Sequence, residues 1–210
     1  MTLALSPTQS DAQVALRSFL LSVLPATGSD GRPVSVIEGQ DNRVAEPLGA
    51  DFVTMTTIRR TRLATNEHVY DALGGTTTTT QETEVVVQLD VHGANMRDAS
   101  DMAQTISTMM RDPYATTFFS ALGSSISPLH ADDPRQVAFV NAEKQYETRY
   151  VVEALLQVDQ AVAGLPQQFA DVAEITLIDA EIPGLAPFLT NPATGQFLLN
   201  PSTGAPLRSR

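Results

Sequence analysis

The chain has 210 residues and a mass of 22.5 kDa, enough for one domain with a full hydrophobic core and too little for several. Its 13 Lys and Arg against 24 Asp and Glu give a net charge of −11, which argues against gripping nucleic acid, because phosphate affinity comes from basic side chains. No cysteine is present, which excludes disulfides, thiolate zinc sites and a cysteine nucleophile, and the charged share of 18% is low against the ~25% of soluble domains, leaving neutral surface that favours association.

Ser6 before Pro7 reads as a capping hydroxyl with a proline at the first helical position, and Leu16, Phe19, Leu20 and Val23 then recur at helical spacing until Pro25. A Gly-Ser-Asp-Gly-Arg-Pro turn at 28–33 leads to a short β-branched strand, Val34 to Glu38, followed by the polar loop Gly39-Gln40-Asp41-Asn42-Arg43. Phe52 to Leu63 is strand-like and carries Arg59, Arg60 and Arg62 near its end. Residues 64–84, with Gly74-Gly75 and five threonines from Thr76 to Thr80, predict a protruding hairpin, since β-branched threonine favours extended backbone. From Glu84 to His92, Val85, Val87, Leu89 and Val91 alternate with polar residues, the pattern of a half-buried antiparallel strand.

Asp98 is the predicted cap of a second helix, in which Met102, Ala103, Ile106, Met109 and Met110 form a core stripe before Asp112-Pro113 stops it. A short amphipathic piece around Phe118, Phe119 and Leu122 precedes a Gly-Ser-Ser-Ile-Ser-Pro loop. Tyr146 to Val158 is the clearest strand, with Tyr146, Thr148, Tyr150, Val152, Ala154, Leu156 and Val158 on one face. At ~3.3 Å per residue it spans about 40 Å, more than a small sheet needs, so part of it is expected to pair outside the core. Ala173 to Ile182 is a last predicted strand. After Pro183 a near-repeat, Asn191-Pro192-Ala193-Thr194-Gly195 and Asn200-Pro201-Ser202-Thr203-Gly204, combines turn chemistry with the apolar anchors Phe188, Leu189, Phe197, Leu198, Leu199 and Leu207. The whole reads as an α+β domain over residues 1–183, with a mainly antiparallel sheet flanked by helices, followed by an extended docking arm over 184–210.

No constellation of catalytic residues stands out. His68, His92 and His130, with Asp90, Asp132 and Asp133 nearby, lack metal-ligand spacing, and a structural or surface role is the better reading. GxGxxG and GxxxxGK[ST] patterns are missing, and Ser124-Ser125 has neither an elbow nor an adjacent base. No metal, cofactor or catalytic residue is assigned. Alternation puts Arg60 and Arg62 on one side of their strand and Arg59 on the other, so charge pairing along the strand is preferred over a single basic groove. Between Arg149 and Arg208 there is no basic residue, whereas Glu153, Asp159, Asp171, Glu174, Asp179 and Glu181 all occur there. No signal-like start or stretch of ~20 apolar residues is visible, and a soluble protein made and used in the cytoplasm, without membrane contact, is expected.

Several segments in order carry a family resemblance: Val36-Ile37-Glu38-Gly39-Gln40-Asp41-Asn42-Arg43-Val44-Ala45-Glu46-Pro47, Asp51-Phe52-Val53-Thr54-Met55-Thr56, Gln88-Leu89-Asp90-Val91-His92-Gly93 before the Ala103-Gln104-Thr105-Ile106 helix, Asp132-Asp133-Pro134-Arg135-Gln136 before Phe139-Val140-Asn141, and Gln145-Tyr146-Glu147-Thr148-Arg149-Tyr150. Over roughly residues 10–182 the chain resembles the neck or tail terminator proteins of tailed bacteriophages. The resemblance implies a non-catalytic virion protein, assembled in the host cytoplasm, whose ring, commonly a hexamer, sits where the tail tube ends and the head-tail connector begins. Its implied partners are its own copies, the tail tube protein and connector proteins, with DNA only passing through the channel.

On that reading the candidate interface residues are Gln40, Asp41, Asn42, Arg43, Arg59, Arg60, Arg62, Phe188, Phe197 and Leu198, and the candidate channel-lining acids are Glu153, Asp159, Asp171 and Glu174. The alternatives are a head-completion adaptor on the portal side, a phage-encoded metal-dependent hydrolase, which the absent motifs disfavour, and a monomeric host-directed accessory protein.

Overall fold

Thr8, and not Ser6, caps helix α1 (Gln9–Val23). Its hydroxyl accepts from the Asp11 N–H at 3.2 Å while the Asp11 carboxylate accepts from the Thr8 N–H at 2.7 Å, so two first-turn donors are satisfied reciprocally. Ser6 is instead the last residue of a short strand, β1 (Ala4–Ser6), and its backbone is committed to the sheet. The computed structural model describes residues 3–39, 47, 49–71, 73–137, 139–140, 146–166, 189–191 and 193–207. It falls into two units, Met1–Phe169 and Ala170–Arg210.

In the first unit, strands β2 (Ser35–Glu38), β3 (Phe52–Arg62), β4 (Glu67–Asp71) and β5 (Thr76–His92) precede helices α2 (Met96–Met110) and α3 (Pro113–Ala121). Strands β6 (Ile126–Ala131), β7 (Arg135–Gln136), β8 (Phe139–Val140), β9 (Tyr146–Glu147) and β10 (Arg149–Pro166) follow. Asn95 caps α2, accepting from the Arg97 and Asp98 N–H groups at 3.0 and 3.1 Å. Asp98, the predicted cap, lies inside the first turn and accepts from the Asn95 amide at 2.6 Å. Asp112-Pro113 ends α2 and also starts α3, with Asp112 as cap and Pro113 in the first turn, where a missing N–H costs nothing.

The predicted Gly-Ser-Ser-Ile-Ser-Pro loop becomes strand from Ile126 onward. Pro128 lies opposite Leu156 of β10, on a strand that has a single neighbour among the described strands, where a residue without an N–H is tolerated. The predicted strand from Tyr146 is also displaced: Tyr146 belongs to the small β8–β9 pair, and β10 begins at Arg149 and runs on to Pro166.

The main sheet has the order β1-β10-β5-β3-β2, with β4 added beside β5 and with β6 and β7 beside β10. Every pairing is antiparallel except β2 with β3. This is the α+β, mainly antiparallel architecture that the sequence predicts. Its spine is the β5–β10 pair, in one register from Arg149 opposite His92 to Val162 opposite Thr79 and, after a shift between Val162 and Leu165, continuing to Pro166 opposite Thr76.

All three helices pack on one sheet face. Val85, Val87, Leu89 and Val91 of β5 and Val152, Ala154, Leu156 and Val158 of β10 share a core with Leu16, Phe19 and Leu20 of α1, Met102, Ile106 and Met110 of α2, and Phe119 of α3. Phe19 is fully buried, with its ring centroid 5.6 Å from Phe118 and 5.5 Å from Phe119. Each such buried large side chain contributes ~1.5–3 kcal/mol, and the methionine stripe of α2 is spent on this packing. Buried Asp51 ties the turn at 28–33 to the start of α2: its carboxylate accepts from the Ser29 and Ala94 N–H groups, both at 2.7 Å. Gly28 is required there, because a Cβ would lie 2.3 Å from Asp51 Oδ2.

In the second unit, the two Asn-Pro-x-Thr-Gly segments fold alike. Asn191 and Asn200 each accept a 2.8 Å backbone bond from the glycine four residues on, Gly195 and Gly204, which have φ of 66° and 68°. Each asparagine side chain accepts at 2.9 Å from the second residue after it, Ala193 or Ser202. Leu189, Leu198 and Leu207 close a cycle of backbone bonds, 198 to 189, 207 to 198 and 189 to 207, each 2.7 Å long.

Candidate assembly surfaces

The sheet face away from the helices is built from the polar half of the alternation. Glu82, Glu84, Val86, Gln88 and Asp90 of β5 lie opposite Asp159, Gln157, Leu155, Glu153 and Val151 of β10. Val86, Leu155 and Val151 are buried between charged neighbours and stand outside the helix-packed core. Among the described residues three arginines face the five carboxylates of β5 and β10. Arg149 binds Asp90 Oδ1 through Nε at 3.0 Å and Nη2 at 2.5 Å, and Gln88 donates to the same carboxylate at 3.0 Å. Arg135 of β7 meets Glu153 at 2.6 Å, and Arg59 of β3 meets Glu84 at 3.3 Å.

Asp159 and Glu82 are different. They lie directly opposite each other and, among the described residues, neither has an arginine partner; Asp159 accepts from the Gln157 amide at 2.9 Å. Like charges placed opposite across a sheet destabilise it, so this pair makes the face acidic at a cost in stability.

A bulge sets the arginine geometry. Thr57 pairs with Val87 and Arg59 with Val86, leaving Ile58 as the extra residue. Beyond it Arg59 shares the helix-free face with Val86, while Arg60 and Arg62 turn to the other side. Arg60 Nη1 reaches Gln160 Oε1 at 3.5 Å, and Arg62 donates to the Ala64 carbonyl at 2.9 Å and to Asn66 Oδ1 at 2.6 Å. The three arginines therefore do not converge; each has a partner within its own chain.

Of the other residues singled out from sequence, Glu153 and Asp159 share the helix-free face. Phe197 and Leu198 belong to the second unit, where they are 56% and 41% exposed. Gln40, Asp41, Asn42, Arg43, Asp171, Glu174 and Phe188 lie outside the described residues, as does the predicted strand from Ala173 to Ile182. Sequence reasoning did not find Arg135 or the Arg149–Asp90 pair; the partners of the latter are 59 positions apart, and no local pattern links them.

The histidines are dispersed. His92 stacks on Phe52 with ring centroids 4.3 Å apart, His68 Nδ1 lies 3.2 Å from the Thr79 hydroxyl, and His130 Nε2 is 3.7 Å from Asp132. Among the described residues no three His, Asp or Glu side chains are placed to hold a metal. A cavity of about 400 Å³ is lined by Asp51, Asp98 and Asp101, but Asp51 and Asp98 already accept the bonds that fix the turn and the α2 cap. No described helix is long and apolar enough to cross a membrane.

No curated protein matches the sequence. A family profile described as phage neck terminator protein matches residues 10–181, from the first turn of α1 past the end of β10. That span covers most of the chain and every segment on which the resemblance was drawn. The chain belongs to the phage neck terminator protein family.

Proposed function

We propose that this chain forms a closed ring, a hexamer, at the head-tail junction, where it ends the tail tube, joins it to the connector and leaves a channel for DNA. Family membership makes it a structural protein of the bacteriophage neck that acts with other head and tail proteins; the ring, its order and its channel are the finer reading. The observation that supports the channel is the helix-free face, where among the described residues the five carboxylates of β5 and β10 outnumber three arginines and Glu82 and Asp159 stand opposed with no cation between them. Turned toward a bore, such a face repels phosphate within about a Debye length, ~8 Å at physiological salt, and DNA slides past it instead of binding. The contacts of a closed ring are heterologous and related by rotation. One axial side fits the last tube ring, and the other offers a further tube ring nothing to use. The arm at 184–210 docks on an adjacent subunit or connector protein.

The test is assembly on purified tail tubes. Tubes given this protein should acquire a ring at one end and stop incorporating tube protein, and deletion of residues 184–210 should leave the domain folded but weaken joining of tail to head. Tubes that elongate unchecked, with no ring at either end, would refute the terminator role.

A further inference from the structure

Exposed sheet edges invite pairing with other chains, and proteins that keep such edges free blunt them with short strands, charged residues (lysine above all), prolines or bulges. The edges of this sheet differ in that respect. Beyond the end of β2, the outer side of β3 carries the bulge at Ile58 and then Arg59, Arg60 and Arg62. β6 carries Pro128 and a register shift. β1 and β4 carry no bulge, proline, lysine or arginine, and among the described strands β1 pairs only with β10 and β4 only with β5.

These two edges, one short and uncharged and the other acidic, also match in geometry. They bound one four-stranded ribbon, β4-β5-β10-β1. Its rungs run straight across: Glu67, Thr80, Ala161 and Ser6 form one, and His68, Thr79, Val162 and Leu5 the next. Each neighbouring pair is antiparallel, so β1 and β4 run in opposite directions at the same level. A second copy set beside β4 therefore presents its own β1 antiparallel to it, and the sheet continues without reversal. Both edges expose apolar side chains: Leu5 is 46% exposed, Val69 and Tyr70 each 56%. Leu5 shares a face with His68 and, by alternation, with Tyr70. β1 bears no charge to oppose Glu67 and Asp71 of β4.

We infer that copies of this chain join head to tail through β1 of one and β4 of the next, making one continuous antiparallel sheet across the subunit boundary. The contact is heterologous and self-propagating, as a ring requires. This inference rests on the ring reading above and names the strands that carry it.

The absence of cysteine makes a clean test. Within one chain β1 and β4 are separated by two strands, about 14 Å at ~4.8 Å per spacing, and a disulfide needs Cα atoms within ~7 Å, so any bridge between them links two chains. Leu5→Cys is combined in turn with His68→Cys, Tyr70→Cys and, as the wrong-face control, Val69→Cys. Folding is checked by circular dichroism, and oligomeric state by native mass spectrometry with and without tail tubes. Mild oxidation of the His68 or Tyr70 combination should convert most of the protein to disulfide-linked multimers, with single variants and the Val69 combination at least tenfold lower. A ring that forms while no combination cross-links above the single variants would overturn the β1–β4 contact and leave the ring standing. A chain that stays monomeric with and without tubes would overturn both.

Discussion

Arg149 and Asp90 offer the sharpest test of how the helix-free face is held. The guanidinium reaches Asp90 Oδ1 twice, at 3.0 and 2.5 Å, and the two side chains are only 21% and 11% exposed. Removing one partner of a fully buried pair costs about 3–5 kcal/mol, because the other charge is left uncompensated. Here Gln88 still donates to the carboxylate at 3.0 and 3.1 Å, and a fifth of the arginine is hydrated, which lowers the expected loss for Arg149→Met to about 2–3 kcal/mol. For a chain of this size each kcal/mol moves Tm by about 2–4 °C, so the shift should be about 4–12 °C downward. Asp90→Asn should cost less, since its amide keeps the shape and one acceptor. The double variant should lose at least about 1 kcal/mol less than the sum of the two, the signature of direct coupling. Urea unfolding followed by far-ultraviolet circular dichroism gives all four corners of the cycle. An Arg149→Met variant within about 0.5 kcal/mol of the parent, the range of ordinary surface changes, or a strictly additive cycle, would refute the reasoning.

Two further outcomes are expected. The backbone N–H groups of Arg32 and Ala50, at 2.9 and 3.1 Å, hold the Asp30 carboxyl below its usual range, and the backbone and hydroxyl of Thr8 do the same for Asp11. A carboxyl lowered in the folded state stabilises it above the unfolded value of 3.8 and loses that contribution as pH falls through the folded value. The stability gap between the parent and Asp30→Asn, measured by denaturant titration, should therefore be full at neutral pH and shrink below pH 3.8; a gap that does not change with pH would count against it. Deleting Ile58 should leave Arg59 opposite Val86, because the flanking pairs already occupy consecutive positions on β5. The variant should stay folded within about 1 kcal/mol and self-associate more than the parent by light scattering, since a flattened edge is easier to pair; unfolding, or unchanged association, would speak against the blunting role of the bulge.

The parts of this fold that the sequence revealed are those in which one side of an element is wet and the other dry. The alternation from Glu84 to His92 and the face shared by Tyr150, Val152, Ala154, Leu156 and Val158 follow from that contrast, and both lie where predicted. The contrast fades beyond Val158: Asp159, Gln160, Ala161 and Val162 continue β10 away from the helix-packed core, and no apolar period marks them. Caps were misplaced because Ser6 and Asp98 are as competent as Thr8 and Asn95; sheet pairing and first-turn geometry decided between them. The opposite orientation of Arg59 and its two neighbours was readable from parity, but the bulge that decides which side each takes was not. The Arg149–Asp90 and Arg135–Glu153 pairs depend on strand register, which no single segment encodes.

The cycle joining Leu189, Leu198 and Leu207 makes the tip of the second unit behave as a clasp. Each leucine gives one backbone bond and takes one, so none can let go without orphaning a donor on one neighbour and an acceptor on the other. A proline in place of Leu207, which cannot donate, removes the bond to Leu198 and with it the tie that holds the second turn against the first. The two nine-residue loops are thus tied to each other through all three leucines, so a change at one of them reaches both turns.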